Sequence, residues 1–323
     1  MTAIVGILNK KGVAIAADSA VTFFNTNQSD IIDENEDVDI RFQKIINSGD
    51  KMLRLKDKQP VAVMIVQNPN LVQFPWDVII RWYRKQRDDS GFPNFLDYIE
   101  DFMAFVNSKV VRPLIKKDIT FDVLRKTYLV FAGYGQDEPY PSICECVITG
   151  IDGGKVQYKK NICTISNEQE SKIFGGGQSD IIDAISYGVQ EERIDDICNQ
   201  IPALMKKLVK EQNCYRDMPT MDVGAINDKI ICQEAKEMME ESINLHYKQI
   251  NNLIKNYNLQ EMACLAENMI KATELHRKIT FQQESVGGLI DLAVITKNDG
   301  FQWLNRKSWY EPSKGGQYGK FGI

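Results

Sequence analysis

The second residue of the chain could act as a nucleophile. Thr2 follows the initiator Met1, and a small second residue normally permits removal of the methionine. A terminal threonine carries a hydroxyl and an α-amine in one residue, and an amine with a pKa of about 7.7–8.0 is a usable general base at neutral pH. The alternative is a threonine that only begins a strand, as β-branched residues often do.

A carboxylate is predicted beside this terminus. Two apolar runs, residues 3–8 and 13–17, flank a short polar segment that ends at Gly12, which can take the left-handed conformation of a hairpin loop. With a loop of two or three residues, the numbers of cross-strand partners sum to about 21 or 22. Asp18 is therefore expected within a residue or two of Thr2.

This stretch resembles the amino terminus of mature proteasome β-type subunits, which are N-terminal-nucleophile (Ntn) hydrolases. The matching residues occur without a gap and include the run Ala-Ala-Asp-Ser; they are Thr2, Gly12, Ala16, Ala17, Asp18, Ser19 and Thr22. The chain departs from the family at Ala20, where Arg is frequent. The resemblance implies that Thr2 is the nucleophile and that its own amine is the general base.

The resemblance also assigns a lysine. Residues 51–55 and 61–66 predict a second hairpin, and Lys51 begins its first strand. In the family a lysine in this strand points at the threonine and pairs with the aspartate, which here is Asp18. An ammonium beside the hydroxyl would favour negative charge on the oxygen and keep the amine neutral. The alternative is a solvated lysine at a strand edge.

Other roles follow from the resemblance. Thr22, Gln67 and Asn68 are expected at the substrate, with Gln67 and Asn68 where the family has a Gly-Gly that binds the oxyanion. Gly176 stands where the family has a serine that positions the terminal amine, and Ser179 is a candidate substitute. The family's late Asp and Ser align with Gln283 and Val286, and a slip of one residue offers Glu284 or Ser285 instead.

The remaining patterns predict an α+β fold. They indicate two helices between residues 70 and 117, strands at 127–133, 142–148 and 155–165, a glycine-rich turn at 173–180 that opens a helix, and late strands at 285–296 and 301–304. This order resembles the four-layer α/β/β/α Ntn-hydrolase sandwich. We expect a single domain over 1–323, with a helical elaboration at 192–278 and a flexible tail at 310–323.

Composition limits the possible partners. The 323 residues carry a formal net charge of −5 and are 43% hydrophobic, which argues against a broad nucleic-acid-binding face. The sequence shows neither a membrane span nor a signal peptide, so a cytoplasmic protein is expected. Seven cysteines, an odd number, and two histidines lack the spacing of a metal site. Reduced thiols, no metal and no cofactor are predicted.

The leading prediction is a threonine-type peptidase that cleaves peptides or unfolded proteins and needs no cofactor. Two alternatives stay open: a catalytically inactive proteasome-like scaffold or assembly subunit, and an Ntn amidase that acts on a small molecule. The extra helical length at 192–278 predicts a homo-oligomer. Because members of the resembled family assemble into rings, the resemblance implies that this oligomer is a ring.

Overall fold

The computed structural model describes residues 2–24, 43–46, 49–115, 127–213, 227–280 and 285–307; for residues 22–24, 43–46, 115, 191 and 192 it describes the backbone alone. The strands are β1 (Ala3–Asn9), β2 (Gly12–Ala17), β3 (Val21–Phe24), β4 (Gln43–Ile46), β5 (Met52–Arg54), β6 (Val61–Gln67), β7 (Asn70–Leu71), β8 (Phe74–Pro75), β9 (Thr127–Gly133), β10 (Ser142–Asp152), β11 (Lys155–Thr164), β12 (Ser171–Gly177), β13 (Asp291–Thr296) and β14 (Gly300–Asn305). The helices are α1 (Trp76–Gln86), α2 (Phe95–Phe105), α3 (Arg112–Ile115), α4 (Asp180–Tyr187), α5 (Glu191–Gln212), α6 (Asp228–Ile254) and α7 (Leu259–Ile279), with a π-helical turn at Val106–Val111.

The strands form two five-stranded antiparallel sheets. The first sheet has the order β12-β1-β2-β13-β14, and the second has the order β11-β10-β9-β6-β5. Two short ribbons, β3-β4 and β7-β8, lie apart from them. This topology is built from hairpins and agrees with the predicted α+β class.

Three hydrophobic cores separate four layers. Strand β1 shows the arrangement, because Val5 and Ile7 face a core shared with α7, whereas Ile4 and Leu8 face a core between the two sheets. The third core packs α1 and α2 against the second sheet. Both faces of the first sheet are thus covered at its centre, which explains why its three central strands, β1, β2 and β13, are apolar along nearly their whole length. The structure therefore confirms the predicted α/β/β/α sandwich.

Local signals fix the helix that covers the first sheet. Helix α7 begins with a capping box in which Asn258 Oδ1 accepts from the Glu261 amide at 2.9 Å and Glu261 Oε2 accepts from the Asn258 amide at 2.7 Å. The buried Asn9 side chain donates to the carbonyls of Ile254 and Tyr257, both at 3.0 Å. The far end of β1 is thereby tied to the junction between α6 and α7.

The predicted glycine-rich turn at 173–180 is wrong in its first part. Residues up to Gly177 belong to β12, which pairs with β1 in the register Ile4↔Gly176 and Ala3↔Gly177. The glycines suit this strand because a Cβ on Gly176 would come within 2.8 Å of the Ile4 side chain. The predicted helix does follow, starting at Asp180.

The late strand is shorter than predicted, since β13 begins at Asp291 and not near residue 285. The preceding backbone is engaged elsewhere: the Gly287 carbonyl accepts from the amides of Ser19 and Ala20 at 3.1 and 3.0 Å. Helices α5, α6 and α7 fill much of the region 192–278, whereas the predicted tail at 310–323 lies outside the described residues. None of the helices in the described ranges is both long and apolar enough to cross a bilayer.

Candidate active site

The first hairpin brings Asp18 to the start of β1, as predicted. Ile4 pairs with Ala17, so partner numbers sum to 21 and Asp18 follows directly. The start of β1 and the end of β2 are joined by a hydrogen bond from the Asp18 amide to the Ala3 carbonyl at 3.2 Å. In return the Ala3 amide donates to Asp18 Oδ1 at 2.9 Å. The carboxylate therefore lies beside the peptide that joins Thr2 to Ala3.

Asp18 is fully buried and accepts four hydrogen bonds. Besides the Ala3 amide, its oxygens accept from the Ala20 amide at 3.1 Å, the Gly287 amide at 3.3 Å and Lys51 Nζ at 2.7 Å. Three of these donors are backbone groups from separate segments of the chain. A buried carboxylate that accepts from backbone amides of three segments holds those segments together.

Lys51 and Asp18 form a buried ion pair. The lysine side chain is 6% exposed and the aspartate side chain 0%. The Lys51 carbonyl accepts from the Ile65 amide at 2.8 Å, which holds the residue at the start of β5. Burial lowers the pKa of Lys51 from its ordinary value, although the Asp18 charge acts in the opposite direction. The alternative of a solvated lysine at a strand edge is wrong.

Thr2 is itself 4% exposed and is held from the opposite side by β12. Its carbonyl accepts from the Gln178 amide at 2.8 Å. The Gln178 side chain continues this contact, since its Oε1 accepts from Ser285 Oγ at 3.0 Å. Thr2 is thus bound by the residue that follows β12, and the segment before β13 contacts that residue in turn.

Gly177 is expected to be irreplaceable next to Thr2. Its φ is 78°, and a Cβ would lie 1.9 Å from the Thr2 carbonyl oxygen. Gly300 has a similar φ of 69° with nothing within 4 Å of the Cβ position, so Gly300→Ala measures the left-handed strain alone. That strain is about 1–2 kcal/mol. We expect Gly177→Ala to lower the free energy of unfolding by clearly more than Gly300→Ala in urea titrations; equal losses would contradict a tight contact at Thr2.

A second buried ion pair lies near the first and was not predicted. Lys307 Nζ is 3.0 Å from Asp291 Oδ2, with side chains 5% and 3% exposed. The sequence held one signal: Asp291 interrupts the apolar run 289–295, and a buried acid in a strand needs a partner. Nothing in the sequence pattern marked Lys307.

The candidate supporting residues have different surroundings. Gly176 faces Ile4 inside β12, and Ser179 Oγ donates to Asp183 Oδ2 at 2.7 Å, within its own helix. Ser285 is fully buried and contacts Gln178, the residue that binds the Thr2 carbonyl. Ser285 is thus connected to Thr2 through Gln178. Glu284 lies outside the described residues, as does Gln283.

The candidate substrate residues lie where β6 ends. Gln67 pairs with Thr127 as the last residue of β6, is exposed, and has a φ of 67°. Left-handed backbone is uncommon for a residue other than glycine. Asn68 Oδ1 accepts from the Asn70 amide at 3.1 Å. The Thr22 backbone belongs to β3, and its side chain lies outside the described part of the structure.

Comparison with known proteins found a distant structural similarity and no family. No family model matches the sequence, and no curated protein matches it. Among solved structures, the chain is similar to a Gly-1 mutant of Anbu from Hyphomicrobium sp. strain MC1, with 15% sequence identity and a TM-score of 0.42. The similarity covers 95% of this chain and 86% of that chain. The assignment of an Ntn-hydrolase-like sandwich therefore rests on the layers and the strand register described above.

Proposed function

We propose that this protein is an amide or peptide hydrolase that uses Thr2 as its nucleophile. The observation that carries the proposal is the buried ion pair of Lys51 and Asp18, fixed beside Thr2 through the Ala3 amide. Two charges taken out of water cost several kcal/mol each unless they are paired, so a buried pair at a chain terminus calls for a role. Positioning a nucleophile is such a role.

The proposed reaction begins with removal of Met1, which frees the Thr2 amine. Thr2 Oγ1 attacks the carbonyl carbon of the substrate while the amine takes the hydroxyl proton and passes it to the leaving nitrogen. The acyl group is then held as an ester on Thr2. A water molecule, deprotonated by the same amine, hydrolyses the ester to a carboxylic acid and restores the threonine.

Lys51 would supply electrostatic support. Its ammonium favours negative charge on the Thr2 oxygen and a neutral Thr2 amine, because a nearby positive charge disfavours a second one. Burial lowers the pKa of Lys51, so its proton is held less tightly than in water. Asp18 keeps the lysine charged and in place. We further propose that the amide of Asn68, which follows the left-handed Gln67, binds the oxyanion.

The test is an intact mass of the purified protein followed by treatment with a peptide vinyl sulfone, an electrophile that alkylates nucleophilic hydroxyls. The expected result is loss of one methionine and a single adduct that peptide mapping places on Thr2. Retained Met1 would block the amine and favour the inactive scaffold. That alternative is supported by Gly176, which cannot replace the family's serine, and by Ser179, whose hydroxyl is engaged by Asp183.

We also propose that the protein forms a homo-oligomer through α5. Ile197, Leu204 and Leu208 share one face of this helix and are 46%, 55% and 54% exposed. Light scattering at micromolar concentration should give a mass well above 36.9 kDa, and a Leu204→Glu/Leu208→Glu variant should lower it. Leu275→Glu, on an equally exposed leucine of α7, is the control. A monomer at all concentrations would contradict the proposal.

A further inference from the structure

The second ion pair is joined to the first by strand register. Asp291 opens β13 and pairs with Ala17, the residue immediately before Asp18. Lys307, two residues beyond β14, satisfies both oxygens of this carboxylate: its amide donates to Oδ1 at 3.0 Å and its Nζ lies 3.0 Å from Oδ2. The end of the first sheet thus carries two acids in adjacent positions on neighbouring strands, each neutralised by a buried lysine.

A single glycine links the two lysines. Lys307 Nζ also donates a hydrogen bond to the Gly49 carbonyl, and Gly49 stands two residues before Lys51. The Gly49 amide donates to the Ser19 carbonyl at 3.0 Å, and Ser19 is the residue after Asp18. Gly49 is therefore hydrogen-bonded on one side to the segment that carries Asp18 and on the other side to Lys307. The backbone that leads into Lys51 is fixed by both contacts.

We propose that Asp291 and Lys307 are positioning residues that hold Lys51 in place against Asp18 and Thr2. This inference rests on the proposed function, because Lys51 is the group being positioned. The geometry gives a clear chain of contacts, which runs from Asp291 to Lys307, then to Gly49, then to Lys51. Without Lys307 the Gly49 carbonyl loses its buried donor, and the start of β5 is free to shift.

The pair also acts on Lys51 through its charges. Among the described residues, the charged groups that affect Lys51 after burial itself are Asp18, Lys307 and Asp291, in that order. Asp18 and Asp291 raise the pKa of Lys51, whereas Lys307 lowers it. Replacing Lys307 by a neutral residue should therefore raise the pKa of Lys51. An ion pair that only stabilised a distant part of the fold would not change the pKa of Lys51.

The experiment compares Lys307→Met with Lys307→Arg and with the control Lys56→Met. Lys56 is a matched control because it is also a buried lysine whose Nζ donates to a backbone carbonyl, that of Ser90 at 2.9 Å, remote from Thr2. Two quantities are measured across pH: the rate of Thr2 labelling by the peptide vinyl sulfone, and the chemical shift of Lys51 Cε in protein labelled with ¹³C-lysine.

Lys307→Met should slow labelling by roughly ten- to a hundredfold, since a shift of about 1 Å in a catalytic group can cost 10²-fold. The alkaline limb of its pH profile and the Lys51 Cε titration should both move to higher pH. Lys307→Arg keeps the charge and should recover most of the rate, and Lys56→Met should label like the parent. Should Lys307→Met fail to fold, Asp291→Asn/Lys307→Met leaves no buried charge unpaired and carries the labelling-rate part of the test. Its Lys51 titration is not used, because this variant removes a charge that raises the pKa of Lys51 together with one that lowers it.

The inference is overturned by a folded Lys307→Met variant with the parent's labelling rate and an unchanged Lys51 titration, or by a folded double variant with the parent's labelling rate. It is equally overturned by a Lys56→Met variant that loses as much rate as Lys307→Met. A parent protein that never labels at Thr2 refutes the proposed function instead. In that event the Lys51 titration alone still decides whether Lys307 governs the environment of Lys51.

Discussion

Thr2→Ala is expected to abolish labelling by the vinyl sulfone and hydrolysis of any amide substrate. The variant keeps the α-amine, the Lys51–Asp18 pair and the backbone contacts of residue 2, and it lacks the attacking oxygen and the γ-methyl group. Removing the nucleophile of a hydrolase lowers kcat by on the order of 10⁶. The loss should therefore reach the background rate without a change in substrate affinity.

The free energy of unfolding should show that Thr2→Ala loses activity without losing its fold. The hydrogen bond from the Gln178 amide to residue 2 uses a carbonyl that alanine retains, so the free energy of unfolding should change by about 1 kcal/mol or less. Thr273→Ala is the matched control, because Thr273 is also buried but lies in α7, where its hydroxyl donates to the Met269 carbonyl. Thr2→Ala turning over at the parent's rate would exclude Thr2 as nucleophile, and the same loss in Thr273→Ala would point to a general defect.

The first hairpin was predictable because its determinants are local. Two residues form the loop, so the register that puts Asp18 beside Ala3 follows from counting residues. The left-handed conformation predicted for Gly12 is wrong, because Gly12 pairs with Asn9 as the first residue of β2 and its φ is not positive. The pairing of Lys51 with Asp18 spans 33 residues and needed the resemblance to a known family in addition to the pattern. In the folded chain the two side chains are buried and form an ion pair, as the resemblance implies.

The rest of the site depends on contacts between residues far apart in the sequence, and such contacts produce no periodic pattern of apolar residues. A glycine run before a helix predicts a turn, yet these glycines belong to β12, where the approach of the Thr2 carbonyl requires Gly177. Lys307 reaches a carbonyl that is 258 residues away along the chain. A lone lysine is most often solvated, so only the fold itself reveals that Lys307 is buried.

Lys51→Ala is expected to have the largest effect on stability. Breaking a buried pair by removing one partner typically costs about 3–5 kcal/mol. The lower end, about 3 kcal/mol, is expected here because three backbone amides still donate to Asp18 in the variant. Lys10→Ala is the control: Lys10 pairs with Glu170 at 2.9 Å, but its side chain is 33% exposed, and such pairs contribute about 0–1 kcal/mol.

The pH dependence of this loss has a defined sign. Burial lowers the pKa of Lys51 from its ordinary value of 10.5 in the folded chain. Between that lowered pKa and 10.5 the unfolded chain binds more protons than the folded one, so the contribution of Lys51 to the free energy of unfolding rises with pH. The difference in unfolding free energy between the parent and Lys51→Ala should therefore widen as the pH is raised through this window.

Lys51→Arg separates charge from shape. Arginine keeps a positive charge against Asp18 but replaces a compact ammonium by a planar guanidinium that cannot lose its proton. It should recover more of the stability than of the labelling rate at Thr2. Urea titrations and vinyl sulfone labelling of the same samples measure both quantities.

If Lys51→Ala unfolds at the parent's midpoint and labels at the parent's rate, the Lys51–Asp18 pair has no part in either stability or catalysis.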